Sequence, residues 1–109
     1  MTRIPMPAAL AALALPIACG ARTARAEADP SALRARNQAA ACTNCHGPQG
    51  RPPADSPIPA LAGRSQSELV SRMQAFKAGT RPATVMNQIA KGYSDEQITA
   101  IAAWFAAVR

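Results

Sequence analysis

The sequence predicts a small all-α domain, and three observations carry that expectation. Two Ser-x-x-Glu/Gln patterns, Ser65-Gln66-Ser67-Glu68 and Ser94-Asp95-Glu96-Gln97, each open a run of apolar residues at helical spacing. No stretch alternates apolar and polar residues as a half-buried strand would. The remaining chain is broken by prolines and glycines that suit neither a helix interior nor a sheet ladder.

The elements follow in order. Pro30 to Ala41 holds good helix formers behind an Asp29 cap, with proline in the first turn. Its apolar face is weak, because Leu33 is its only large hydrophobe. Gly47 to Pro59 is a loop containing five prolines and Gly50. The Ser65 helix carries Leu69, Val70, Met73 and Phe76 and stops near Gly79. Arg81 to Gly92 is irregular, with one helical turn at most around Asn87 to Ala90. The last helix places Ile98, Ile101, Ala102, Phe105 and Val108 on one face, with Asp95 and Glu96 at its positive end.

The first 26 residues read as a leader outside the fold. Arg3 precedes an uncharged run from Ile4 to Gly20, and Ala24-Arg25-Ala26 is a small-x-small cleavage pattern. Residues 1–26 are therefore expected to be a cleaved signal peptide, with residues 27–109 as the exported domain. An uncleaved anchor is the rival, but the run is interrupted by Pro5, Pro7 and Pro16 and falls short of the about 20 residues that a span needs. Lipidation at Cys19 is a second rival, and either would tether the N-terminus to a membrane. Cleavage removes three of the 12 basic residues and none of the six acidic ones, lowering the net charge from +6 to +3. That modest excess does not favour a nucleic-acid binder.

The mature stretch is rich in alanine and holds few aromatics, 4% of the whole chain. So small a domain with so few large side chains needs a staple or a cofactor to complete its core. Cys42-Thr43-Asn44-Cys45-His46 supplies one: C-x-x-C-H is the attachment pattern of c-type haem. Thiols three residues apart lie one helical turn from each other and can reach two vinyl groups of one haem. The next side chain, His46, then points its imidazole at the iron. A structural zinc site needs four ligands, and His46 is the sole histidine. A thioredoxin-like dithiol belongs to a βαβ setting that is missing here. A sixth iron ligand must come from elsewhere than histidine, and the mature stretch offers two methionines. Met73 sits on an apolar helix face and reads as core filler. Met86 lies in irregular chain, where its sulfur can turn to iron without breaking a helix. A Met/His pair raises the potential and fills the iron's coordination, which suits electron transfer better than catalysis. A haem peroxidase with an open sixth position is the enzyme alternative, and no distal histidine supports it.

These residues resemble class I, mono-haem c-type cytochromes. Cys42-x-x-Cys45-His46-Gly47 is similar to the family's haem motif, and Pro59-Ala60-Leu61-Ala62-Gly63 to its proline segment. The resemblance implies three to four helices wrapped around one covalently attached haem. It also implies that the Pro59 carbonyl orients His46, that Leu61 packs on the porphyrin, and that Trp104 or Phe105 meets the first helix. Phe76-Lys77-Ala78-Gly79 and Met86 to Ser94 resemble, more narrowly, the cytochrome subunit of flavocytochrome c sulfide dehydrogenases. That likeness implies a periplasmic electron-transfer subunit whose donor is a flavoprotein chain. The alternative is a free shuttle to a terminal oxidase or reductase. Lys77, Arg81 and Lys91 flank Met86 in sequence and are candidates for steering an acidic partner.

Overall fold

The structure is a computed structural model that describes residues 29–109, so the leader and Cys19 lie outside the described residues. Helices α1 (Pro30–Ala40), α2 (Thr43–His46), α3 (Gln66–Ala78), α4 (Met86–Lys91) and α5 (Asp95–Ala107) follow in order, with a 3-10 turn at Pro48–Gly50 after α2. No strand occurs among the described residues, as expected, and none of their helices is long and apolar enough to cross a membrane. Of the two short helices, α2 holds Cys45 and His46 of the C-x-x-C-H run, and α4 lies in the stretch that the sequence marks as largely irregular.

Asp29 caps α1 by accepting the Ser31 amide at 2.9 Å, with Pro30 as the first helical residue. The weak apolar face of α1 is resolved by small residues. Ala35 and Ala39 are buried, while Leu33 is 45% exposed. Methyl groups let α1 approach α5 closely, and Ala39 joins Leu69, Ile101, Ala102 and Phe105 in the central cluster. Phe105 supplies the aromatic at the centre of that cluster, and Trp104 meets it edge-on with ring centres 4.9 Å apart.

The two caps differ. At α5 the box is complete: Ser94 Oγ accepts the Gln97 amide and Gln97 Oε1 accepts the Ser94 amide. At α3 only half of it forms, with Ser65 Oγ accepting the Glu68 amide at 3.2 Å. The Glu68 carboxylate does not reach back, because Arg64 and Arg72 hold it at 2.8 and 2.7 Å. Gly79 ends α3 in the left-handed region (φ 76°) and returns its amide to the last turn. Val108 does not belong to the α5 face: it is the C-cap, in extended backbone. Helices α1 and α3 both pack on α5, and α4 packs on α3, which leaves one side of the core to be closed by loops.

Candidate functional site

The site begins where α1 gives way to α2. The Cys42 amide donates to the Ala39 carbonyl at 3.0 Å, so the chain turns without losing its anchor on α1. The Cys42 carbonyl then accepts the amides of Cys45 and His46, at 3.3 and 3.0 Å, which sets the two thiols one turn apart. The two are not joined in a disulfide: Cys42 lies half-buried against the core and Cys45 is exposed. Burial pushes the Cys42 thiol above its ordinary range.

Gly47 ends this turn with φ 81° and ψ 164°, a region open essentially to glycine alone. The reversal sends the loop back over α2 and brings Pro59 to the imidazole. His46 Nδ1 donates to the Pro59 carbonyl at 2.7 Å. A carbonyl only accepts, so the proton sits on Nδ1 and Nε2 carries the free lone pair. At 8% exposure, His46 is the only buried polar or charged residue among those described.

Cys42, Cys45 and His46 open onto a cavity of about 700 Å³, within the usual range for a cofactor site. Pro59 and Leu61 line it from the loop, and α5 contributes Ile98, Ile101 and Phe105. Both Met73 and Met86 reach it. Met86 differs from expectation in one respect: it is the first residue of α4, not part of irregular chain. Val85 at the N-cap offers no capping side chain, so the helix starts without the signal that sequence reading relies on.

The charges around the cavity also differ from expectation. Lys77 is absent from its lining, because its ammonium donates to Asp95 Oδ1 and to the Tyr93 carbonyl. Lys91 is exposed and does not line it either. Arg81 does, with its guanidinium 5.2 Å from the centre of the Phe76 ring. Arg64 and Arg72 also line it and were missed. A signal for Arg72 existed: it stands three residues after Leu69 and four before Phe76, on the apolar stripe of α3. Tyr93 lines the same wall, and burial raises its hydroxyl above the usual range. The Asn87 amide oxygen is buried without a partner among the described residues.

This donor set fits haem c. It offers two thiols, an imidazole Nε2 with its lone pair free, thioether sulfur and largely apolar walls that include three arginines. No cluster of three His, Cys, Asp or Glu side chains suited to a bare metal ion occurs among the described residues.

Comparison with known proteins agrees. The family model described as Cytochrome c matches residues 34–108. The cytochrome subunit of sulfide dehydrogenase from Chlorobaculum tepidum is 41% identical over 64 residues, covering 59% of this chain and 56% of that protein. Cytochrome c4 from Azotobacter vinelandii is 34% identical over 92 residues, covering 76% and 43%. The thiosulfate dehydrogenase electron acceptor of Stutzerimonas stutzeri is 40% identical over 70 residues, covering 62% and 32%. The chain thus spans between a third and a little over half of the length of these relatives.

Proposed function

The chain belongs to the cytochrome c family, whose members bind haem c covalently, and from that premise we propose that it is an exported one-electron carrier. Cys42 and Cys45 would form the thioether links to haem, and His46 Nε2 and Met86 sulfur would be its iron's ligands. The observation that carries this reading is the 2.7 Å bond from His46 Nδ1 to the Pro59 carbonyl. It fixes the tautomer and the ring, and leaves the basic nitrogen aimed for a metal. When bound, the haem supplies a reversible one-electron couple. The chain's own part is to hold the imidazole, exclude water with Leu61, Leu69 and Phe105, and counter carboxylate charge with Arg64, Arg72 and Arg81. With His46 and Met86 both held on iron, no coordination position would be left for peroxide, which favours a carrier over a peroxidase.

The test is an intact mass of protein expressed with its maturation machinery. The expected product begins at Glu27 and carries the mass of one haem. The Cys42→Ala/Cys45→Ala double variant should lose all covalent haem to acid acetone and be largely unfolded. Pure polypeptide mass in the parent protein would refute the attachment, and another N-terminus would refute the leader.

The donor in this reading is a flavoprotein sulfide dehydrogenase chain in the periplasm. Support comes from the Chlorobaculum relative, named as the cytochrome subunit of sulfide dehydrogenase. Chemistry supports it too: with both thiols bound and His46 on iron, no group remains here to activate sulfide. A flavin on another chain can take two electrons and release them singly. The Stutzerimonas relative, named as an electron acceptor, favours the second reading, a free shuttle. Purification of the native protein should bring down a flavin-bearing chain, and charge reversal at Arg81 and Lys91 should slow its reduction by that chain and flatten the salt dependence. Isolation as a lone protein, reduced only by another cytochrome or a respiratory complex, would decide for the shuttle.

A further inference from the structure

Among the described residues, only four side-chain hydrogen bonds join residues more than five apart in sequence. One is the His46–Pro59 bond and one runs from Gln66 on α3 to the Thr99 carbonyl on α5. The other two are both made by one ammonium: Lys77 Nζ donates to the Tyr93 carbonyl at 2.9 Å and to Asp95 Oδ1 at 2.8 Å. Lys77 is in the last turn of α3 and Asp95 is the first residue of α5. The bonds therefore close the base of the segment that leaves α3 at Gly79 and returns at Tyr93. Met86 stands in the middle of that segment.

The segment has little of its own to hold it. Helix α4 is six residues long and has no side-chain N-cap, and Ala90 is its only fully buried residue. Val85 and Ile89 are 54% and 39% exposed. A helix so short is marginal without tertiary support. At the start of the segment, the amides of Thr80 and Arg81 return to the Ala75 carbonyl. At its far end the Tyr93 backbone, otherwise tied to Ala90, is gripped by Lys77. Fixing both ends removes most of the conformational freedom that a segment of this length would regain if one end came loose.

We propose that Lys77 is a positioning residue for the iron's methionine ligand: its ammonium clasps Tyr93 and Asp95, and the closed segment holds Met86 against the haem. The inference rests on the Met86 assignment. The clasp also acts on its partner, since the hydrogen bond from Lys77 is the largest cause holding the Asp95 carboxyl below its usual range. Asp95 is itself set by the capping box around Ser94, so Lys77 grips a firm point.

Imidazole, which competes with methionine for ferric haem, is the probe, applied to the ferric holoprotein. Lys77→Gln should bind imidazole about three- to tenfold more tightly, the net worth of a hydrogen-bonded pair that is partly open to solvent, and weaken the Met–Fe(III) band while the far-ultraviolet helix signal stays. Lys77→Arg should restore most of both. Gln66→Ala removes the other long α3–α5 bond, remote from Met86, and should leave imidazole affinity unchanged. Asp95→Asn removes half of the clasp and should fall between parent and Lys77→Gln, which keeps the test open if that variant fails to fold. Unchanged imidazole affinity in Lys77→Gln, or in Asp95→Asn where Lys77→Gln cannot be made, overturns the proposal, and so does an equal gain in Gln66→Ala. Loss of the band in Met73→Ala with its retention in Met86→Ala would instead overturn the ligand assignment beneath it.

Discussion

Met86→Ala should abolish the Met–Fe(III) absorbance band, lower the reduction potential and open the ferric or ferrous iron to cyanide or carbon monoxide. The expectation follows from what a thioether does for iron: it favours the reduced state and blocks the sixth position. Met73 is the necessary comparison, because both sulfurs reach the cavity. Met73 lies in the middle of α3, between Leu69 and Phe76, with helix on either side. Met86 opens a short helix after the 80–85 stretch, where the backbone can shift to bring sulfur to metal without unwinding a long element. Met73→Ala should keep the spectrum and cost stability, toward the low end of the about 2–5 kcal/mol of a buried methionine, since Met73 is only half-buried. Spectra and urea midpoints of the two variants decide it; the reverse pattern would exchange the roles.

A second large effect is expected at Gly47. A Cβ there would stand 2.3 Å from the Arg51 carbonyl oxygen and 2.5 Å from Pro52 Cα, both backbone atoms that cannot rotate aside. The backbone angle adds strain of about 1–3 kcal/mol for a non-glycine residue, and relieving such a contact costs about 1–3 kcal/mol more. Gly47→Ala should therefore lose about 2–6 kcal/mol, a large part of the about 5–15 kcal/mol that holds a domain together. The strain falls beside His46 and on the turn that delivers Pro59, so haem content should fall along with the urea midpoint. A variant with parental midpoint and full haem content would show that the loop can take another path.

Much of this molecule is written in local signals, and those were legible. The Ser94 box, the Asp29 cap, the Gly79 stop and the C-x-x-C-H run each act within a few residues, so sequence spacing alone specifies them. The Pro59 carbonyl came from family likeness, and the structure puts it 2.7 Å from His46 Nδ1. What spacing does not reveal is competition between partners. Glu68 suits a capping box, but two arginines one turn away on either side offer its carboxylate charge-assisted bonds, and these win. Lys77 looks like a steering charge until its ammonium is found on Asp95, 18 residues away in sequence. The onset of α4 at Met86 was hidden because its support comes from packing on α3 and not from a capping side chain.

The first helix was undervalued because its grip consists of methyl groups. Ala39 is fully buried, and its carbonyl carries the Cys42 amide. The interval between α1 and α5 is thus gauged by the smallest side chain that still fills space, and the same residue is the hinge pin from which the thiol-bearing turn hangs. Bulk added at that pin would push α1 from α5 and carry the turn of Cys42 and Cys45 with it. Helix spacing and cofactor attachment are geared together in this chain: a tolerance in carpentry at Ala39 becomes a yield in chemistry at Cys42 and Cys45.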